Sequence, residues 1–301
     1  MTQRGAIGTP HAYFDRLTQA GIAVLQFKPI NPLALRIGWA PNHRDHRKLL
    51  IVDGKVAFVG GINISSVYAS GSSIRRSQES PSEATGWRDT DVQVEGPAVA
   101  AFQRLFMQTW QKQDGSPMAP RDYFPMLTPQ GSEIVRVIGS TPDDRFSVMY
   151  VTLISAIANA QRQVYLTNAY FVPDAQLLTA LIDAAARGVD VQLILPAHSD
   201  SKLAFYAGRA NYDALLAGGV RVYERRGSLL HAKTALIDSV WACVGSSNLD
   251  WRSALDNDEI NAEILGRGFG KTMQEAFAKD MAASDEMTLT QWRKRAWWLR
   301  V

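Results

Sequence analysis

HRKLLIVDGKVAFVGGINIS, residues 46–65, lies without a gap on HAKTALIDSVWACVGSSNLD, residues 231–250. His46, Lys48, Asp53, Gly60, Gly61 and Asn63 fall opposite His231, Lys233, Asp238, Gly245, Ser246 and Asn248. The chain of 301 residues holds five histidines, 32 Lys or Arg and 29 Asp or Glu. With that composition, a histidine followed two positions on by a base and seven positions on by an acid is expected about 0.05 times by chance. Finding it twice, each time followed by the same small-residue and Asn pair, marks an internal duplication, and a duplication fixes the architecture before any single element does.

LLIV and AFVG flank Asp53-Gly54, and TALI and VWACVG flank Asp238-Ser239. Apolar runs around such dipeptides predict two tight hairpins. Side chains at i and i+2 on a strand share a face, so His46 with Lys48, and His231 with Lys233, are expected to point into one cavity. Asp53 and Asp238, at the turns, are expected to position the hairpins. Farther on, DTDVQVEG from Asp89 lies on EINAEILG from Glu259, one carboxylate per copy. A working histidine needs an acceptor on its second ring nitrogen, and Asp89 and Glu259 are the candidates for that role.

After residue 131 the pattern alternates strand and helix: EIVRVIG, a helix over about 147–160, QVYLTNAYF, a helix over about 175–187, DVQLILP, a helix over about 202–217, VRVYER, then the His231 hairpin. Such alternation predicts a sheet covered by helices. Residues 11–19 followed by GIAVLQF match the helix over 202–217 followed by GVRVYER. The fold class expected is α/β: two pseudo-two-fold-related domains, each a mixed β-sheet flanked by helices. The counterpart of residues 134–197 would stand in front of Met1, so the first domain is expected to be incomplete at its N-terminus and the chain to be shortened there. The expected division is a first domain at 1–110, a Pro- and Gly-rich linker at 111–131, a second domain at 132–280 and a basic, aromatic tail at 281–301.

Hydrophobic residues are 46% and charged residues 20% of the chain, which excludes a disordered or collagen-like polypeptide, and one cysteine excludes a disulfide scaffold. Cys243, within VWACVG, reads as an inert buried thiol. No run approaches the ~18 apolar residues of a membrane span, and the first residues lack the apolar core of a signal peptide. The net charge of +3 mildly favours anionic partners.

HxKx4D followed by G-[GS]-x-N, present twice, resembles the signature of the phospholipase D superfamily. HRDHRKLLIVDGKVAFVGGINIS, WRDTDVQVEGPAV, TNAYFVPD and HAKTALID…GSSNLDWRS are similar to bacterial cardiolipin synthases in particular. The resemblance implies two phospholipase D-like domains and a phosphatidyl transfer between two phosphatidylglycerol molecules, giving cardiolipin and glycerol through a phosphohistidine. It implies His46 as nucleophile and His231 as general acid and then base. Lys48, Lys233, Asn63 and Asn248 are expected around the non-bridging oxygens of the phosphate, where they stabilise the charge of the transition state. No metal and no cofactor are required. His43, Asp45 and His46 are potential ligands, but neighbours on an extended segment point to different sides.

The resemblance also implies an anionic phospholipid partner at the cytoplasmic face of the bacterial inner membrane, with nucleic acid disfavoured and the oligomeric state open. Water ending the reaction instead of a lipid hydroxyl would make a hydrolase. A phosphodiesterase nuclease and an inactive membrane-binding remnant compete with the synthase reading. Tyr170 and Phe171 are expected to line the substrate channel. Leu33, Leu35, Ile37 and Trp39, in an insertion over 29–44, are candidates to enter the lipid interface. So are Trp292, Trp297 and Trp298 among Arg293, Lys294, Arg295 and Arg300, unless they pack against the second domain.

Overall fold

The computed structural model describes residues 9–27, 43–68, 86–113, 115–250, 253 and 256–296. The insertion residues Leu33, Leu35, Ile37 and Trp39, and Trp297, Trp298 and Arg300 of the tail, lie outside the described residues.

In the first copy, α1 (His11–Gln19) precedes β1 (Arg44–Asp45), β2 (Leu49–Val52), β3 (Val56–Gly60), a 3-10 turn (Ser66–Tyr68), β4 (Trp87–Arg88), β5 (Asp91–Glu95) and α2 (Val99–Lys112). In the second, β6 (Ile134–Ser140), α3 (Val148–Asn159), β7 (Gln163–Asn168), α4 (Ala175–Ala186) and β8 (Asp190–Pro196) alternate. There follow α5 (Lys202–Arg209), α6 (Tyr212–Ala217), β9 (Arg221–Arg225), β10 (Leu229–Leu230), β11 (Lys233–Ile237), β12 (Trp241–Gly245), β13 (Asn257–Leu265), α7 (Arg267–Ala282), β14 (Ser284–Met287) and α8 (Leu289–Lys294). The mixed α/β class expected from the sequence is the one observed.

Both hairpins form where the dipeptides placed them. Asp53 and Gly54 have φ of 52° and 66°, and Asp238 and Ser239 have φ of 52° and 56°. Positive φ at both central residues is what a type I′ turn needs, and its twist matches that of the flanking strands. Lys55 N–H returns to Val52 O at 2.9 Å and Val240 N–H to Ile237 O at 3.1 Å. Only glycine fits at position 54, because a Cβ there would lie 2.7 Å from Tyr123 O. Residues of the expected linker thus pack directly on the first hairpin.

The second copy builds the larger sheet, in the order β6-β13-β12-β11-β7-β8-β9-β14, with β7, β8 and β9 parallel and the hairpin strands antiparallel. Its strands are apolar on both faces because both are covered. On one face Ala235, Ile237 and Cys243 meet Leu153 and Ile157 of α3 and Leu177 and Leu181 of α4. On the other, Leu236, Ala242, Val244, Ile260 and Ala262 pack against Ala57, Val59, Val92 and Val94 of the three-stranded first-copy sheet β2-β3-β5. Along β5, Val92 and Val94 are buried while Asp91, Gln93 and Glu95 are exposed, the period-two pattern of a half-covered strand. One core therefore joins the two copies.

Three expectations are corrected. Residues 202–217 form two helices, broken at Ala210–Asn211, instead of one. Residues 21–27, aligned with the β9 segment, form no strand: β9 has β8 and β14 beside it, whereas 21–27 have no strand neighbour among the described residues. Trp292 is fully buried, its ring 4.9 Å from that of Tyr212, after β14 has added an edge strand to β9. A tryptophan closed into the second copy's core has no surface left for a lipid interface. Cys243 is buried, and burial pushes its thiol well above the usual range.

Candidate active site

Each histidine sits just before its hairpin's first strand, on a short extended segment that crosses to the other copy. β1 runs parallel to the start of β13, Arg44 opposite Asn257 and Asp45 opposite Asp258, and His46 N–H donates to Asp258 O at 2.9 Å. The second copy repeats this: β10 runs parallel to β4, and His231 N–H donates to Arg88 O at 2.8 Å. The exchange of backbone ladders brings the next residue of each receiving strand, Glu259 or Asp89, up to the histidine of the other copy.

The side chains pair accordingly. His46 Nδ1 lies 2.9 and 3.0 Å from the two oxygens of Glu259. His231 Nδ1 lies 2.7 Å from Asp89 Oδ2. With Nδ1–H donated to a carboxylate, Nε2 of each ring carries the free lone pair. Glu259 is wholly buried and also accepts the Ser246 hydroxyl on Oε2. Burial alone would raise its carboxyl; the His46 ring, Lys48 and Ser246 outweigh this and hold it below the ordinary value.

Lys48 Nζ donates to His46 O at 2.5 Å and Lys233 Nζ to His231 O. Burial pushes the Lys48 ammonium down to about 7 and that of Lys233 down to about 8. Burial lowers both histidines too, His231 to about 4, and each ring feels the lysines of both copies: Lys48 and Lys233 act on His46, and Lys233 and Lys48 act on His231. Four chemically active groups from two halves of the chain thus share one electrostatic environment. Its positive lysines and neutral imidazoles suit an anion with two sides to be worked on. An anion placed there would offset the lysine field and raise the histidines, making a proton donor of a ring that is neutral in the empty site.

The other candidates divide. Tyr170 flanks the site, its ring 6.1 Å from His231 with Lys233 Nζ over it at 6.0 Å, and its hydroxyl donates to Asp200 at 2.5 Å. Phe171 does not line a channel: it is 4% exposed, packed in the core of the second copy and bridged to Leu249. The alternation that turns Tyr170 toward His231 turns its neighbour the other way. Asn248 is half-buried with Oδ1 unpartnered, while Asn63 is exposed, its Nδ2 3.5 Å from Tyr68 Oη. Asp238 accepts N–H bonds from Gln161, Arg162 and Gln163, locking the second hairpin to the start of β7. Asp53 is exposed and makes no such bonds among the described residues.

His43 and His46 do not share ligands. His43 Nε2 bonds Asp258 at 2.8 Å while His46 takes Glu259, neighbours on one strand facing opposite ways. Sequence reasoning missed Tyr68, whose hydroxyl lies 3.1 Å from His231 Nδ1, and Trp87, whose ring is 5.2 Å from that histidine. Trp87 lies in WRDTDVQVEG, two residues before Asp89, and that nearness was the available signal.

The family model described as "Cardiolipin synthase, PLD-like domain" matches residues 153–281. The chain is 34% identical over 293 residues to a cardiolipin synthase of Halalkalibacterium halodurans, covering 96% of this chain and 56% of that protein. It is 32% identical to one of Geobacillus kaustophilus, covering 97% and 56%. The chain therefore spans about half the length of the curated relatives it matches. In fold, it superposes on the phosphatidylserine synthase of Haemophilus influenzae with a TM-score of 0.63 at 11% identity, over 87% of this chain and 68% of that one. The two crossed His–carboxylate pairs, each set by one copy of the duplicated HxKx4D motif, thus stand in a chain that is similar to cardiolipin synthases over most of its length and that matches their PLD-like domain over residues 153–281.

Proposed function

We propose that the protein transfers a phosphatidyl group from one phosphatidylglycerol to the hydroxyl of another. The observation that carries this reading is the pair of buried histidines, each with Nδ1 committed to a carboxylate and Nε2 left for chemistry, beside two lysines. His46 Nε2 attacks phosphorus, and the bond to the headgroup glycerol breaks as His231 gives that oxygen its proton. The phosphatidyl group is then held on His46. The hydroxyl of a second phosphatidylglycerol gives its proton to His231 and attacks the same phosphorus, freeing His46 and completing cardiolipin. Splitting one displacement into two, each with a positioned acid or base, supplies factors of about 10²- to 10⁴-fold per proton transfer. Lys48 and Lys233, with Asn63 and Asn248, neutralise the non-bridging oxygens as charge builds.

The acceptor decides between transferase and hydrolase. No described helix is long and apolar enough to cross a membrane. The protein is proposed to meet its substrate at the cytoplasmic face of the inner membrane, where a lipid hydroxyl at high local concentration outcompetes water. The test is incubation with phosphatidylglycerol vesicles and mass analysis of the lipid products. Cardiolipin and glycerol in equal amounts are expected. Phosphatidic acid without cardiolipin would replace the transferase by a hydrolase, and cleavage of DNA but not of lipid would replace both by a nuclease.

A further inference from the structure

The two orienting carboxylates are not alike, and the difference involves a residue outside the duplicated motif. In the second copy, Glu259 takes a hydroxyl from Ser246. In the first, the position opposite Ser246 is Gly61, which has no hydroxyl to give. Nor is there room for one. A Cβ on Gly61 would lie 2.1 Å from Asp89 Oδ1 and 2.6 Å from Oδ2, so the shorter carboxylate rests on the bare glycine backbone. Oδ1 accepts Thr90 N–H at 2.8 Å. Oδ2 faces both His231 Nδ1, at 2.7 Å, and Tyr68 Oη, at 3.2 Å.

Tyr68 comes from the 3-10 turn that follows Asn63, and its counterpart in the second copy is Ser253, which instead accepts Asn248 N–H. The tyrosine ring packs edge-on against Trp87 at 5.8 Å and against His231 at 6.4 Å. We propose that Tyr68 is a positioning residue whose hydroxyl donates to Asp89 Oδ2 and so holds the carboxylate where it fixes His231 as the Nδ1–H tautomer. It does for Asp89 what Ser246 does for Glu259. Burial, and then the neighbouring Asp89 charge, push the phenol above its usual range, so it stays a donor at every working pH. Without it, Asp89 keeps Thr90 N–H on Oδ1 and only the His231 ring on Oδ2, so the carboxylate can turn together with the ring it is meant to fix. This inference rests on the reading of His231 as proton donor.

The experiment uses the chain labelled with ¹⁵N-histidine. With five histidines in the sequence, the ring signals are few enough to assign, His231 by its loss in His231→Gln. Wild type is expected to show a single Nδ1–H tautomer for His231. Tyr68→Phe keeps the ring and its packing but removes the hydroxyl. It is expected to turn His231 into a tautomer mixture while His46 signals stay unchanged, and to lower kcat on phosphatidylglycerol about 10-fold at constant KM, the worth of one hydrogen bond to a charged group. A His231 that remains a single Nδ1–H tautomer in Tyr68→Phe overturns the proposal, whatever turnover does. If the tautomer shifts but wild type forms no lipid product, the positioning role stands and the proposed reaction falls.

Discussion

The hairpins around Asp53 and Asp238 share the HxKx4D motif, the turn type and a five-residue second strand, yet their surroundings differ. β11 is paired on both sides, with β12 and β7, and its turn aspartate holds three backbone N–H groups. β2 is paired with β3 alone among the described residues, Leu50 and Val52 are 58% and 44% exposed, and Asp53 faces outward. At their other ends the hairpins converge: each begins at a buried histidine held by a carboxylate of the opposite copy. A hairpin's shape is set by its own turn and alternation, its support by what the rest of the chain lays beside it, and its active end by the partner copy. The same crossed His–carboxylate arrangement therefore does not require structural equivalence throughout the hairpins that carry it.

The two hairpins are most sensitive where the copies cross, at the carboxylates. Glu259→Gln removes the charge that orients His46, and loss of such a carboxylate from a His pair costs about 10³- to 10⁴-fold in kcat. On the proposed roles, that loss appears with every substrate, because His46 forms the bond to phosphorus. Asp89→Asn acts on His231 and is expected to cost as much on phosphatidylglycerol but less than about 10-fold in the first-turnover release of nitrophenolate from an activated phosphodiester, a step that needs no proton. Equal losses on both substrates for both variants would show that the carboxylates do not serve separate histidines.

The smallest expected effect concerns the turns. Asn keeps the left-handed preference of both positions, so Asp53→Asn and Asp238→Asn isolate the charge. Asp238→Asn is expected to destabilise the protein by about 1 kcal/mol through its weakened N–H bonds, and Asp53→Asn to stay within about 0.5 kcal/mol, both read from denaturant midpoints. A larger loss at Asp53 would mean that the first hairpin depends on contacts like those of the second.

The sequence made the hairpins legible because turn chemistry and period-two alternation are local. It also offered Asp89 and Glu259, by repetition, but not that they cross, since His46 and Glu259 stand 213 positions apart and only the parallel pairing of β1 with β13 joins them. Tyr68 was invisible, because a serine stands opposite it in the second copy and repetition hides whatever only one copy has. Trp292 was misread because a tryptophan among arginines has the same composition at a membrane surface as over Tyr212, where Arg293 pairs with Asp213. Phe171 was misread with Tyr170 because strand neighbours look adjacent in sequence and face apart in space.

One site with two different histidines makes a distinct prediction for the pre-steady-state release of nitrophenol from an activated phosphodiester. Since this leaving group needs no proton, His231→Ala is expected to release one equivalent in a burst and then stall, with the phosphoryl group recovered on His46. His46→Ala is expected to show no burst and no adduct. A burst from His46→Ala with the adduct on His231 would reverse the roles, and a burst from neither variant, with wild type active, would contradict covalent catalysis at this site.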